Sequence, residues 1–187
     1  LMEIPSIFIY SHDSIGVGEA GPTHQPIEHL ASLRSTPSIE TWRPCDTVET
    51  AVSWKAALLN GKNPTAIILS RQNLKAQDRN QEQKRDIEKG GYILHGSEKK
   101  PDLVIISTGS ELGATMEAVQ ALGPEKNVRV VSMPCTERFD QQTKAYKEKV
   151  LGNGIRRLAV EASYNDWWIK YVGLEGQVVG MSEFGES

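Results

Sequence analysis

Several features that mark common protein classes are scarce or missing in this sequence of 187 residues. It has only two cysteines, Cys45 and Cys135, which favours reduced, packed thiols in a cytosolic protein over a disulfide framework. No apolar run approaches the roughly 18 residues of a membrane span. Residues 1–5 lack the basic region and cleavage pattern of a secretory signal. We therefore expect a cytoplasmic protein with no membrane partner.

Basic charge is not in excess either. The chain has 21 Lys and Arg residues against 24 Asp and Glu residues, a net charge of −3, so we expect no nucleic-acid partner. The 39% of hydrophobic and 24% of charged residues are ordinary for a globular protein. The length allows one or two domains of roughly 100–200 residues each.

Short β-branched runs alternate with helical segments along the chain. The first half predicts strands at 6–10, 38–42 and 65–69 and helices at 23–33 and 47–59, the second helix opened by a capping box at Asp46 and Glu49. The second half predicts strands at 92–94, 103–107, 128–133, 158–161 and 178–179 and helices at 111–122, 141–151 and 166–172, with Ser110 as the cap at 111. Apolar strands separated by helices indicate sheets covered on both faces. The predicted fold class is α/β: two consecutive three-layer α/β units with mainly parallel sheets.

Residues 72–90 differ from both halves, because they are rich in charge and nearly devoid of large apolar side chains. We interpret this stretch as an exposed connector that could contain one helical turn. The predicted domains are 1–75 and 91–187, joined by a polar connector at 76–90.

Ligands of open parallel sheets bind at the carboxyl ends of the strands. His12 follows the strand at 6–10 and leads through a glycine-rich loop to His24, and Arg71 follows the strand at 65–69. If these strands are parallel, the three side chains converge on one crevice. His12 and Arg71 could then donate to a phosphate, and a neutral His24 could exchange a hydrogen bond with a substrate hydroxyl. A simple turn with solvated imidazoles remains the alternative at this point.

Other motifs predict structure rather than chemistry. Residues 16–21 match G-x-G-x-x-G, but the proline that follows interrupts the helix start that a dinucleotide site requires, so we interpret the match as accidental. His29 and His95 are expected at the surface, Trp42 in the core and Arg43 in an ion pair. Core or interface packing is predicted for the aromatic group Tyr164, Trp167, Trp168 and Tyr171. No zinc spacing, Walker motif or nucleophile elbow is present.

The stretch HDSIGVGE at 12–19, followed by GPTHQP at 21–26, resembles the signature of the transketolases. Further matching motifs follow in the family's order: SLR at 32–34, WRP at 42–44, LSRQN at 69–73, GGY at 90–92, STGSE at 107–111, VSMP at 131–134 and FGES at 184–187. The resemblance covers essentially the whole chain. It implies the later part of a pyrimidine-binding domain at 1–75 and a C-terminal domain at 91–187 that lacks its last stretch.

The resemblance also implies an activity. Transketolases transfer a two-carbon ketol unit from a ketose phosphate (xylulose 5-phosphate) to an aldose phosphate (ribose 5-phosphate or erythrose 4-phosphate) through a thiamine-diphosphate carbanion, in the pentose phosphate pathway. They are homodimers that bind Mg²⁺ or Ca²⁺ with the cofactor. In the family, the cofactor and the metal ion are held mostly by regions absent from this chain. We therefore expect the chain alone to be inactive and to contain no cofactor or metal ligands.

The resemblance implies functional roles for three residues, whereas a fourth position differs from the family pattern. His12 and Arg71 match the family's substrate-phosphate ligands, and His24 matches a catalytic histidine near the cofactor and the C1 hydroxyl of the donor. Ala20 stands in the substrate-binding loop where the family usually has an aspartate that holds a substrate hydroxyl. Because Ala20 lacks that carboxylate, we expect weaker or broader selection of the aldose substrate. The expected loss of transition-state binding is roughly 1.5–3 kcal/mol.

Two other interpretations remain open from the sequence. A related thiamine-diphosphate enzyme, such as dihydroxyacetone synthase or one half of a split transketolase, would share much of this signature. The chain could instead be a non-catalytic α/β module that dimerises through its aromatic helix.

Overall fold

A computed structural model describes residues 4–13, 15–16, 21–96 and 100–185. The first unit contains a parallel sheet of three strands, ordered β1-β3-β2. Its strands are β1 (Ile7–Ser11), β2 (Glu40–Trp42) and β3 (Thr65–Leu69), and its helices are α1 (His29–Ser35) and α2 (Thr47–Leu59). The central strand β3 is the most buried of the three, as its unbroken apolar sequence predicts.

The second unit contains a sheet of five strands, ordered β4-β6-β5-β7-β8, in which β4 is antiparallel to β6 and the other pairs are parallel. The strands are β4 (Tyr92–His95), β5 (Leu103–Ser107), β6 (Val128–Ser132), β7 (Arg156–Tyr164) and β8 (Gln177–Met181). The helices are α3 (Gln81–Asp86) in the connector, then α4 (Glu111–Leu122), α5 (Thr136–Asp140), α6 (Lys144–Leu151) and α7 (Ile169–Val172). The predicted α/β class with mainly parallel sheets is confirmed.

The predicted helix at 23–33 is wrong in its first half. A short 3-10 helix covers Pro22–His24, and α1 begins only at His29. Gln25 has an extended backbone, because the residue before a proline is sterically disfavoured in the α region. Pro26 therefore separates two helical segments instead of opening one.

The main hydrophobic core runs from one unit into the other. Trp42 and Ile67 of the first sheet pack in the same buried cluster as Ile105 and Val130 of the second. A second cluster covers the far face of the larger sheet and takes in Trp168 and Tyr171. The prediction that these aromatic side chains pack is confirmed for this pair and for the partly buried Trp167, whereas Tyr164 is exposed.

The connector is not simply an exposed loop, and that interpretation is wrong for Arg79 and Ile87. Ile87 is fully buried, and the Arg79 guanidinium donates to Asp46 Oδ2 at 2.5 Å and to the Tyr92 hydroxyl at 2.6 Å. Tyr92 in turn donates to Glu49 Oε1 at 2.7 Å. The connector thus joins the two units through buried charge, which a count of polar residues could not reveal.

We call this group the Arg79 cluster: Asp46, Glu49, Arg79, Tyr92 and Ser132, whose hydroxyl also donates to Glu49 at 2.6 Å. Asp46 additionally caps α2 as predicted, because its Oδ1 accepts from the Glu49 backbone N–H at 3.0 Å. Burial alone would raise the pKa of Asp46, but hydrogen bonds led by that from Arg79 lower it below its usual value. Asp46 is therefore both a helix cap and the anion that keeps Arg79 buried.

This double role predicts an unusually costly cap. Asp46→Ala should lower the free energy of unfolding by about 3–5 kcal/mol, because it strands a buried guanidinium as well as removing the cap. Asn80→Ala, which removes the cap of α3 in an exposed capping box, is the matched control and should cost only about 1 kcal/mol. Urea denaturation measures both. Equal losses in the two variants would show that the Arg79 cluster adds nothing to the cap.

Candidate functional site

The first candidate site lies where β1 and β3 end. Ser11 pairs with Leu69 in the parallel register, so His12 and Arg71 leave adjacent strands at the same edge of the sheet. His12 has a φ of 68°, a left-handed backbone that costs a non-glycine residue roughly 1–2 kcal/mol. Asp13 follows at once, and its backbone N–H donates to the Leu69 carbonyl at 3.2 Å. The strained turn is therefore fastened to β3 directly beyond His12.

A cavity of about 550 Å³ opens beside this turn, within the range of small-molecule sites. His12, His24 and His29 all line it, above an apolar wall formed by Leu30, Leu33 and Ile68. We call it the histidine cavity. It brings His12 and His24 together, as the strand-end argument predicted, and it adds His29. The prediction that His29 is exposed is confirmed, but its place on the cavity wall escaped the sequence because α1 was expected to begin earlier.

Hydroxyl groups orient both of the predicted histidines. Nδ1 of His12 lies 3.0 Å from Ser11 Oγ, and Nδ1 of His24 lies 2.8 Å from Thr23 Oγ1. With Nδ1 engaged, Nε2 is the ring nitrogen that each histidine can offer to a ligand. Imidazoles and hydroxyls of this kind suit a phosphate or a sugar hydroxyl.

Arg71 is close to this site but does not line the histidine cavity in the described residues. It is exposed just past β3. The next side chain, that of Gln72, lies against Gly16, where an added Cβ would overlap its amide group. The β3 turn therefore touches the glycine-rich loop that connects His12 with His24. Ala20 and most of that loop lie outside the described residues.

Arg43 carries the predicted ion pair, and the pair reaches across both units. Its side chain is 0% exposed, and its Nε donates to Asp13 Oδ2 at 2.7 Å. On the other side, Nη1 donates to Glu111 at 2.5 Å and to the Thr108 carbonyl at 3.0 Å. One guanidinium thus joins the turn beside His12 to the start of α4.

Glu161, in the C-terminal half of β7, is the second buried anion here. It accepts two hydrogen bonds from Arg34 of α1, at 2.7 and 2.9 Å, and one of its oxygens lies 3.4 Å from Arg43 Nη1. Burial alone would raise the pKa of Glu161, but Arg34 and Arg43 outweigh burial and lower it to about 2. We call the group Asp13, Arg34, Arg43, Glu111 and Glu161 the Arg43 cluster.

Asp13 differs from Glu161 in the direction of its pKa shift. It is only 4% exposed, and burial raises its pKa above the usual value, although Arg43 opposes the shift. Its Oδ2 is bound by Arg43, whereas Oδ1 is buried without a hydrogen-bond partner in the described part of the chain. Apart from its place in the motif that begins at His12, nothing in the sequence marked Asp13 as a buried residue.

The packing of Arg43 depends on a glycine. Gly109 has a φ of 56°, and a Cβ there would lie 2.6 Å from the guanidinium carbon of Arg43. Ser110 does not cap α4 with its side chain, contrary to prediction. Its hydroxyl instead accepts from Arg43 at 3.1 Å and donates to Glu111 at 2.6 Å. The motif at 107–111 therefore serves the buried cluster more than the helix end.

The described residues contain no group of three or more His, Cys, Asp or Glu side chains placed to hold a metal ion. The imidazole and hydroxyl groups around the histidine cavity can hydrogen-bond phosphate and hydroxyl groups. Cys45 and Cys135 are both free and buried. No helix in this part of the chain is long and apolar enough to cross a membrane.

The lowered pKa of Glu161 predicts a pH-dependent contribution to stability. A glutamate whose folded pKa is about 2 instead of 4.5 stabilises the fold above the unfolded pKa and loses that effect as pH falls from about 4.5 through about 2. Near neutral pH, the free energy of unfolding of the wild type should exceed that of Glu161→Gln by about 3 kcal/mol, because each pKa unit corresponds to about 1.4 kcal/mol. The gap should shrink below about pH 4.5. Urea unfolding at several pH values measures it.

Glu148→Gln is the matched control, because Glu148 is exposed and its ion pair with Lys144 is long, at 3.8 Å. That variant should stay within about 0.5 kcal/mol of wild type at every pH. A gap for Glu161→Gln that does not change with pH would contradict the assignment of the lowered pKa.

Comparison with known protein families identifies both units. Residues 1–77 match the transketolase pyrimidine-binding domain, and residues 90–187 match the transketolase-like C-terminal domain. These matches meet the two ends of the connector, and the predicted boundaries at 75 and 91 remain predictions.

Individual relatives agree with these matches. Transketolase 1 of Vibrio parahaemolyticus is 56% identical over 189 aligned residues, which cover 100% of this chain and 28% of the relative. Transketolase 2 of Escherichia coli K12 is 53% identical with the same coverage. A crystal structure of Pichia stipitis transketolase in complex with sedoheptulose 7-phosphate superimposes with a TM-score of 0.91 at 40% identity, covering 99% of this chain and 27% of that one. The chain thus spans little more than a quarter of its relatives, and it belongs to the transketolase family.

Proposed function

We propose that this chain forms the substrate-phosphate side of a transketolase active site. In this proposal the assembled enzyme transfers a two-carbon ketol unit from a ketose phosphate such as xylulose 5-phosphate to ribose 5-phosphate or erythrose 4-phosphate, in the pentose phosphate pathway of the cytoplasm. The assembled enzyme is a homodimer, and the remaining transketolase domains complete its site. The chain alone is inactive.

The observation that carries the proposal is the convergence of His12 and His24 on one cavity, with Arg71 at the adjacent strand end. His12 donates from Nε2 to the substrate phosphate. Arg71 is exposed and has a fixed planar set of donors that matches phosphate oxygens. His24, across the cavity, exchanges a hydrogen bond with the C1 hydroxyl of the donor sugar.

Thiamine diphosphate, when bound, supplies the nucleophilic carbon that carries the two-carbon unit. The described residues offer no ligand set for its metal, so the proposal places its diphosphate and its Mg²⁺ or Ca²⁺ on the other transketolase domains. The part played by this chain is to bind and orient the sugar phosphates. Orientation of this kind can lower the activation free energy of a reaction by several kcal/mol.

The direct test measures ketol transfer from xylulose 5-phosphate to ribose 5-phosphate with thiamine diphosphate and Mg²⁺. The chain alone and the chain joined to the remaining transketolase domains are assayed side by side. Transfer by the joined protein alone is the expected result. Inactivity of both with these sugars, together with transfer to other acceptors, would point instead to a related thiamine-diphosphate enzyme.

A phosphate role for Arg71 predicts a selective defect. In the joined protein, Arg71→Ala should raise KM for phosphorylated substrates about 10- to 100-fold, because a charged hydrogen bond is worth roughly 1.5–3 kcal/mol. KM for an unphosphorylated ketose should change little. Lys62→Ala is the matched control, since Lys62 is an exposed cation before the opposite end of β3. Equal effects of Arg71→Ala on both classes of substrate would refute the role.

At position 20, in contrast to Arg71, a substitution is expected to improve the enzyme. Ala20→Asp restores the acceptor that the family usually has at this position, so it should raise kcat/KM for the aldose phosphate acceptor and sharpen its stereoselectivity. The expected gain is about tenfold or more, from one hydrogen bond to a charged group. Steady-state kinetics with acceptors that differ at one hydroxyl measure it. Unchanged kcat/KM and unchanged selectivity would show that Ala20 costs the enzyme nothing.

A further inference from the structure

We propose that the C-terminal unit positions His12 and His24 of the histidine cavity, with Arg43 and Glu161 as the positioning residues. This inference rests on the proposed function, because it assigns a role to the buried link between the units in binding the same sugar phosphates. Neither residue lines the cavity, so each acts through the groups that it holds.

The first link leads to His12. The strained turn of His12 continues into Asp13, whose carboxylate accepts from Arg43 at 2.7 Å. Arg43 itself is held on the C-terminal side at both ends. Its backbone N–H donates to the Pro134 carbonyl at 2.8 Å, and the Thr108 hydroxyl donates to its carbonyl at 2.9 Å. A shift of the C-terminal unit would therefore carry Arg43, and through it Asp13, with it.

The second link leads to the opposite wall. Glu161 of β7 holds Arg34 of α1 with two hydrogen bonds, and the same helix presents His29 and Leu30 to the cavity. Two backbone contacts reinforce this side close to His24. Tyr164 donates its N–H to the Ile27 carbonyl at 2.9 Å, and the Gly185 N–H donates to Gln25 Oε1 at 2.7 Å.

Glu161 connects the two links, because it contacts both Arg34 and Arg43. Its carboxylate lies between Arg34 and Arg43, so the wall that carries His12 and the wall next to His24 are both held by one side chain of β7. The indole N–H of Trp168 and the hydroxyl of Ser163 also donate to it, at 2.8 and 2.7 Å. A fully hydrogen-bonded carboxylate between two buried guanidinium groups has little freedom to move. It therefore fixes the separation of the two histidines.

The Arg79 cluster provides the matched comparison. It also links the two units through a buried guanidinium and carboxylates, yet none of its members lines the histidine cavity. A perturbation there should weaken the interface between the units without moving the histidines. A purely structural role for the Arg43 cluster would make the two clusters equivalent in any assay of substrate binding.

The test uses Glu161→Gln and Tyr92→Phe in the chain joined to the remaining transketolase domains. Glu161→Gln keeps the shape of the side chain but removes its charge and one of its two acceptor oxygens, so it loosens the hold on Arg34 and Arg43. It should raise KM for phosphorylated donors about tenfold, because a misplacement of 1 Å at the groups that orient a substrate can cost about 100-fold. Tyr92→Phe removes the hydroxyl that Glu49 and Arg79 share and should leave KM within about twofold of wild type.

A milder variant covers the case in which Glu161→Gln does not fold. Ser163→Ala removes a single hydrogen bond from Glu161 and should raise the same KM by about two- to fivefold, in keeping with a partly released carboxylate. An active wild type whose KM responds to none of these changes, or responds equally to Tyr92→Phe, overturns the positioning role. A wild type without ketol transfer overturns the proposed function itself.

Discussion

The buried guanidinium of Arg43 is the constraint on which the rest of the structure depends. It satisfies its donors with Asp13 from the first unit and with Glu111 and Thr108 from the second, so neither unit can hold it alone. Removing water from a buried ion is costly, and the cost is offset only when every charge and donor finds a partner. The contacts of Arg43 are therefore satisfied only when the two units are in register. The same arrangement holds Asp13, which directly follows His12.

A second buried link works in the same manner at the connector. Arg79 is neutralised by Asp46 and Glu49 and bonded to Tyr92. Buried ion pairs are weak evidence for high stability, since apolar replacements are often as stable. They do penalise any arrangement in which one partner is lost. The buried ion pairs therefore help to specify how the two units are placed relative to each other, in addition to the apolar core that they share.

Much of the fold was predictable because local signals agreed with it. The strands at 65–69 and 103–107 occupy the expected residues, since unbroken β-branched runs suit buried parallel strands. The helix expected at 23–33 failed at Pro26, where steric exclusion of the preceding residue outweighed the apolar spacing. The short helix α5 was missed, as its five residues are too few to show a helical period.

The site was predictable only in part. The strand-end rule predicted that His12 and His24 share one cavity, because it needs only the order of strands and the residues that follow them, but Arg71, which it placed in the same crevice, does not line that cavity in the described residues. It could not find His29 on the cavity wall, which depends on where α1 begins, or the partners of Arg43 and Arg79. Those pairs join residues as far apart in the chain as Arg34 and Glu161. A charged residue looks the same in a sequence whether it is solvated or paired across a domain interface.

Amide hydrogen exchange at the His12 turn tests the central claim most directly. The Asp13 N–H is donated to the Leu69 carbonyl, so its exchange rate reports how firmly the turn is held. Replacing Arg43 with methionine should speed exchange at Asp13 by roughly tenfold or more, through local opening, while the amides of central strand β5 stay protected. Unchanged protection at Asp13 in that variant would contradict the account, because the turn would then hold its shape without the C-terminal unit.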